Sequence, residues 1–211
     1  MKRNLFLTMV ALSLFAMGAC SQTENLFNGK DLSNWNFVVA DESVSPTDVY
    51  SVKDGVINIK GNPFGYMYTK NKYTDYVLEL EWRWPEAASN SGIFLIIADP
   101  KNPFPNGIEC QLRAGSAGDF VLLGGSDLNE YVAPESGRPN FPVISKREES
   151  SEKPIGEWNK AKFEVKDGKI TAIINGVLQN QGTNKVKEGY IGLQSEGGPI
   201  QFRNVKLTSQ K

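Results

Sequence analysis

Three two-residue turn signals, each set between short apolar runs, limit what this chain can fold into. Asp54-Gly55 separates a run at 50–53 from one at 56–60. Asp167-Gly168 separates 163–166 from 170–174, and Asn175-Gly176 turns the chain directly into Val177. Asp-Gly and Asn-Gly accept the positive φ angles of a tight hairpin whose twist matches that of paired strands. Further short runs at 66–70, 91–98, 120–123, 190–194 and 200–207 predict more strands, and no long helical period occurs after the first twenty residues. The chain therefore reads as all-β, an antiparallel sandwich or barrel of roughly a dozen short strands with almost no helix.

Two strands carry a sharp division of faces. In 76–84, Tyr76, Leu78, Leu80, Trp82 and Trp84 point one way, and Glu79, Glu81 and Arg83 the other. In 107–113, Ile108, Cys110 and Leu112 oppose Glu109, Gln111 and Arg113. A face of carboxylates, amides and guanidiniums suits a sugar, whose hydroxyls need many donors and acceptors. Two stretches read as long loops: 99–106, whose three prolines exclude a central strand, and 124–154, which ends in the charged run 146–152.

With 211 residues the chain predicts one domain able to bury a single core. Its 23 basic and 24 acidic residues give a net charge of −1, which argues against nucleic acid as a partner. There is no histidine, so Ser-His-Asp and Cys-His catalysis and histidine-ligated metals are excluded. Any metal would sit among oxygens, which favours a hard divalent cation such as calcium.

The start of the chain reads as a processing segment. Met1-Lys2-Arg3 is basic, 5–17 is apolar, and Gly18-Ala19 precede Cys20. We read 1–19 as a signal peptide, Cys20 as a lipidated first residue of bacterial lipobox type, 20–25 as a tether, and 26–211 as the folded domain. The protein would then be held at the bacterial cell envelope by acyl chains alone; an ordinary secretory signal is the alternative. Cys110 is left unpaired in the mature chain, and its alternation places it inward as a small apolar filler.

Several segments, in order along nearly the whole mature chain, carry a family resemblance. They are Leu26-Phe27-Asn28-Gly29-Lys30-Asp31-Leu32-Ser33-Asn34-Trp35, Tyr73-Thr74-Asp75-Tyr76 leading into Glu79-Leu80-Glu81-Trp82-Arg83, and Asn90-Ser91-Gly92-Ile93. Then come Gly107-Ile108-Glu109-Cys110-Gln111, Glu157-Trp158-Asn159, Ile174-Asn175-Gly176-Val177, Gly189-Tyr190-Ile191-Gly192-Leu193-Gln194 and Phe202-Arg203-Asn204-Val205. Together they resemble the 3-keto-disaccharide hydrolase domain family, once labelled only as a domain of unknown function. The family is similar to concanavalin-A-like lectins and glucanases. The resemblance implies a two-sheet antiparallel jelly roll with a carbohydrate groove on its concave face. Onto that face it would bring Glu79, Glu81, Arg83, Glu109, Gln111, Gln194, Gln201 and Arg203. The chain departs from the family pattern at Ile96, where many relatives carry arginine, and at Ala114, where many carry aspartate. It also has Glu196 where some carry histidine. These departures bear on substrate range, metal use and catalysis.

The reaction implied is cleavage of a 3-keto glycoside. A ketone at sugar carbon 3 acidifies the hydrogen on carbon 2, a base removes it, the glycosidic oxygen leaves carbon 1, and water adds back. One placed carboxylate and a group that stabilises the enolate suffice. Glu109 is the candidate base, with Arg83, Arg203 or an oxygen-bound cation as stabiliser; a structural salt bridge is the other reading of Arg203. An ordinary glycosidase would instead need two carboxyls, roughly 5–5.5 Å apart for retention and 6.5–9.5 Å for inversion. Strand rise alone permits such a pair from Glu79, Glu81 and Glu109 without selecting it. Glu79 and Glu81 read equally well as decoration of a solvated face. Tyr68 with Lys70, and Phe104 in the proline loop, are the aromatic candidates for lining the groove. Asn90 stands at a strand start, where it can bond a sugar or cap a bulge. A di- or oligosaccharide is the expected partner. The Glu109–Gln111 motif favours an enzyme, while Ile96 and Ala114 favour a carbohydrate-binding module without catalysis. Beyond the signal, nothing specific supports a purely adhesive lipoprotein.

Overall fold

The computed structural model describes residues 21–210 as a two-layer β-sandwich. Cys20 and the segment before it lie outside the described residues. The first sheet runs in the order β13 (Val177–Thr183), β12 (Lys169–Ile174), β11 (Asn159–Lys166), β6 (Tyr76–Arg83), β15 (Ile200–Ser209), β4 (Val56–Ile59), β3 (Tyr50–Lys53), with β1 (Thr23–Asn25) also paired to β15. The second runs β10 (Val143–Ile144), β9 (Phe120–Leu123), β8 (Asn106–Gln111), β7 (Gly92–Asp99), β14 (Tyr190–Ser195), β5 (Gly65–Thr69), β2 (Trp35–Val39). Every pairing between strands is antiparallel. The fold is the expected two-sheet jelly roll of glucanase type. The one helix among the described residues, α1 (Pro46–Val49), is a single turn capped by Ser45.

The turn chemistry sets the hairpins. Asp54 and Gly55 (φ 52° and 74°) close β3–β4, Asp167 and Gly168 (50° and 80°) close β11–β12, and Asn175 and Gly176 (51° and 85°) close β12–β13. Positive φ at both turn positions is the conformation these residue pairs tolerate best. Alternation then buries one face of each strand. Tyr76, Leu78, Leu80 and Trp82 of β6 join Ile93 and Leu95 of β7 and Ile108 and Cys110 of β8 in one core between the sheets. Each large apolar side chain taken fully out of water there contributes about 1.5–3 kcal/mol before entropy is counted.

Two departures from the sequence reading have physical causes. Thr23–Asn25, read as tether, pairs with Lys206–Thr208, because the long β15 offers an open edge beyond its pairing with β4. The second departure is a separate apolar cluster, Tyr66, Phe94, Ile97, Val121 and Leu123, which lies outside the main core. By alternation these residues stand on the outer face of the second sheet. A sheet face turned to water would be polar at those positions, and this one is covered instead.

Candidate active site on the outer face of the second sheet

Alternation along β8 turns Ile108 and Cys110 into the core and Glu109 outward, as its neighbours require. Glu109 pairs with Phe94 on β7 and with Val121 on β9, so apolar groups flank it on both sides. Its carboxyl bends across β7 at Gly92. A Cβ at position 92 would stand 2.2 Å from Glu109 Oε1 and 2.6 Å from Cδ, so only glycine leaves that space. On the far side of Gly92 is β14, where Gln194 stands one step beyond the Leu193–Ile93 pair. The Ser91 hydroxyl fixes this junction by donating to the Gln194 carbonyl at 2.9 Å.

Glu196 continues the outward series Gly192, Gln194, Glu196 and completes the cluster. It enters the turn after β14, at which Gly197 has φ 74° and packs on the loop before β7. A Cβ on Gly197 would stand 2.6 Å from Ser89 Oγ, so glycine permits the approach that brings Glu196 beside Asn90.

The electrostatics of the two carboxyls differ. Glu109 is only 2% exposed, and its Oε1 is buried with no hydrogen-bond partner. Burial pushes its pKa well above the usual carboxylate range, and the charge of Glu196 pushes the same way. Burial also raises Glu196, but there the side-chain amides of Gln194 and Asn90 oppose the shift by hydrogen-bonding the anion. Gln194 Oε1 and Asn90 Oδ1 are themselves buried acceptors without partners. Unpartnered buried polar atoms cost about 1–3 kcal/mol each, and their concentration around one carboxyl pair marks a place made for a ligand or for protons in motion.

A roof of aromatic rings closes over this face. The proline loop between β7 and β8 folds back so that Phe104 meets Phe64 at a 5.9 Å ring separation and Phe141 at 5.2 Å. Phe104 also packs on the apolar floor, while Phe64 and Phe141 remain 43% and 48% exposed. Tyr68 stands on the same face, edge-on to Tyr190 at 5.4 Å and tilted against Tyr66 at 5.7 Å. Flat rings of this kind stack on the C–H faces of sugars.

The sequence-selected residues divide between the two sheets. Glu109, Gln194, Asn90, Tyr68 and Phe104 share the face just described. Gln111 lies beside them, but its Oε1 is engaged by the backbone N–H groups of Leu112 and Arg113, both at 3.0 Å. Lys70 stands past the end of β5 in a small cleft with Glu24, Asn34 and Tyr73, away from Glu109. Glu79, Glu81, Arg83, Gln201 and Arg203 do not join Glu109. They belong to β6 and β15, whose outward side chains leave the opposite surface of the sandwich. Alternation states which side of a strand a residue takes, not which sheet the strand enters, and the expectation of one shared groove failed there.

On that opposite surface the charged groups hold one another. The Arg203 Nε donates to Glu81, as does the Asn204 side chain at 3.2 Å. Arg83 donates to Gln201 at 2.7 Å and to the Gly156 carbonyl at 3.2 Å. The guanidiniums of Arg83 and Arg203 lie 4.5 and 4.0 Å from the centre of the Trp158 ring and so anchor the strand-entry loop. A cleft of about 440 Å³ opens there between Glu79, Glu81, Lys160, Lys162 and Lys206. It has no buried, unpartnered carboxyl such as Glu109. The structural reading of Arg203 is the one observed.

A hard cation would have two carboxylates and two amide oxygens to bind at the Glu109 cluster. Among the described residues no three Asp, Glu or Cys side chains come together as a metal site. Calcium takes six to eight oxygens and favours carboxylates, so the cluster does not make a calcium cage.

Comparison with known proteins agrees with this architecture. The "3-keto-disaccharide hydrolase" of Bacteroides thetaiotaomicron is 23% identical over 86% of this chain and 76% of its own length. A solved protein of Parabacteroides distasonis, described as a candidate glycosyl hydrolase, is 23% identical and covers 90% of this chain and all of its own, with a TM-score of 0.65. The β-glucanase of Bacillus licheniformis shares the fold at 11% identity and a TM-score of 0.53, over 90% of this chain and 98% of its own. The model of the 3-keto-α-glucoside-1,2-lyase-like domain matches residues 22–208, and the chain belongs to that family of glycosyl hydrolase-like proteins.

Proposed function

We propose that this protein cleaves the glycosidic bond of 3-keto glycosides, with Glu109 as the group that carries the proton. One observation supports this reading above the others. A carboxyl 2% exposed, with an oxygen lacking any partner, sits beside a second carboxyl on a sheet face roofed by aromatic rings. Such a carboxyl changes protonation state near neutral pH more readily than an exposed one. Tyr68 and Phe104 offer flat surfaces to the sugar. The ketone makes the hydrogen on sugar carbon 2 acidic, so proton transfer alone can expel the glycosidic oxygen. The name of the Bacteroides relative, 3-keto-disaccharide hydrolase, is consistent with the same substrate class. As part of this proposal, Cys20 carries the lipid anchor and the domain works at the cell envelope.

The test is turnover of a 3-keto-disaccharide beside the same disaccharide with its 3-hydroxyl intact. Cleavage of the keto form alone is expected, and Glu109→Gln should lower its rate roughly 10²–10⁴-fold, the usual contribution of a general acid or base. Binding of saccharides with no turnover of either compound would favour a carbohydrate-binding module instead.

A further inference from the structure

The two carboxyls of the cluster stand in different surroundings, and the difference is built into the backbone. Glu109 has Phe94 and Val121 as its cross-strand neighbours and bends over a glycine, so apolar groups surround most of it. No donor reaches its buried oxygen. Glu196 is partly open to solvent at a turn and faces the side-chain amides of Asn90 and Gln194. Amide groups beside a half-open carboxylate favour its anion, and a buried carboxyl with an orphaned oxygen favours the neutral form. A neutral Glu109 also gains an O–H donor in a cluster where the acceptors Gln194 Oε1 and Asn90 Oδ1 lack partners. Carboxyl pairs whose surroundings differ in this way divide acid and base duties between them.

We propose that Glu196 is the second catalytic carboxyl of this site and acts as the base, leaving Glu109 as the acid. The assignment rests on the 3-keto-glycoside reading above and refines it, since it moves the base from Glu109 to a residue that the strand pattern did not single out. The Glu196 carboxylate takes the proton from sugar carbon 2. The electrons of that C–H bond pass onto the ketone as an enolate, then return to form the bond between carbons 1 and 2 as the bond from carbon 1 to oxygen breaks. Glu109 gives its proton to the departing oxygen. Both carboxyls have now exchanged state. Water then adds to carbon 1 and loses a proton to the Glu109 carboxylate, while Glu196, partly open to solvent and its proton exchanged with water, gives a proton to carbon 2. Summed, the steps consume one water, and both side chains end as they began.

Leaving-group chemistry separates the two roles. A nitrophenolate leaves without help from an acid, whereas a sugar alkoxide does not. Read as release of the first equivalent of leaving group, before water adds, Glu109→Gln should therefore lose at least ~100-fold on a 3-keto-disaccharide yet stay within ~10-fold of the parent on the nitrophenyl 3-keto-glucoside. Glu196→Gln should lose at least ~100-fold on both substrates, because carbon 2 must be deprotonated in either case. Infrared difference spectra of parent against each variant, at neutral pH without substrate, give a readout independent of turnover. Glu109→Gln should remove a protonated-carboxyl band and Glu196→Gln a carboxylate band. Equal losses for Glu109→Gln on the two substrates, or an unimpaired Glu196→Gln, would overturn the division. So would a carboxylate band lost with Glu109. A parent inactive on both keto substrates would refute the reaction itself, and the infrared bands would still decide the protonation states.

Discussion

Gly92→Ala perturbs the site through a single methyl group. Position 92 has ordinary extended backbone, so alanine brings no backbone strain of its own. Its Cβ, however, would stand 2.2 Å from Glu109 Oε1, 2.6 Å from Cδ and 2.7 Å from Cγ, where ordinary contact begins at 3.4 Å. The Glu109 carboxyl must therefore withdraw by about 1.2 Å, from 2.2 to 3.4 Å, away from Gln194 and Glu196. A displacement of about 1 Å in a reacting group costs on the order of 10²-fold in rate. Added bulk in a packed region costs about 1–3 kcal/mol of stability. Gly192→Ala is the matched control. It lies on the same face, and the nearest atoms its Cβ would meet are Ile97 at 3.0 Å and the Met67 carbonyl and Phe94 at 3.3 Å, none of them of Glu109. We expect both variants to lose stability in thermal melts, and Gly92→Ala alone to lose about two orders of magnitude in kcat on a 3-keto-disaccharide. A Gly92→Ala protein that is folded and as active as Gly192→Ala would refute the claim that Glu109 works from the observed position.

Three further outcomes are expected. Burial raises the folded-state pKa of Glu109, so between the unfolded and folded values the native state holds the extra proton; its contribution to stability is present in full below the unfolded value and falls as pH rises, by at most about 1.4 kcal/mol per pH unit. Chemical denaturation across pH 5–8 should accordingly show a shallower decline for Glu109→Gln than for the parent. Glu81→Ala removes the acceptor of Arg203 and Asn204 on the opposite sheet; since both donors can turn to water, it should cost about 1 kcal/mol or less in denaturation and leave turnover within about twofold. Phe104→Ala should open the roof, raising KM for the keto substrate and increasing fluorescence of a hydrophobic dye, with the melt lowered by a few degrees.

Much of the fold was legible because its signals are local. Asp-Gly and Asn-Gly fix hairpins wherever they occur, and period-two alternation fixed the inward faces of β6 and β8, including Cys110. The orientation of Glu109 followed from its neighbours' need for the core. Sheet membership was not legible, since which strands neighbour one another depends on crossovers many residues apart. For that reason Glu79, Glu81, Arg83 and Arg203 were grouped with Glu109 although they face the opposite way. Glu196 was missed as a site residue because it sits in a turn, after the period-two run of β14 has ended. Extending that run by one step, from Gly192 through Gln194 to Glu196, would have found it. The apolar floor under Phe104 gave no separate signal, since Phe120–Leu123 reads simply as a strand buried on both faces.

The central claim is that the glycosidic bond breaks after carbon 2 of the sugar loses its proton. The most direct measurement is cleavage of a 3-keto-disaccharide in heavy water, with the released keto sugar analysed by NMR within the first fraction of turnover. One deuterium at carbon 2 of that product is the expected result. Release of the keto sugar with its original hydrogen still on carbon 2 would contradict the account.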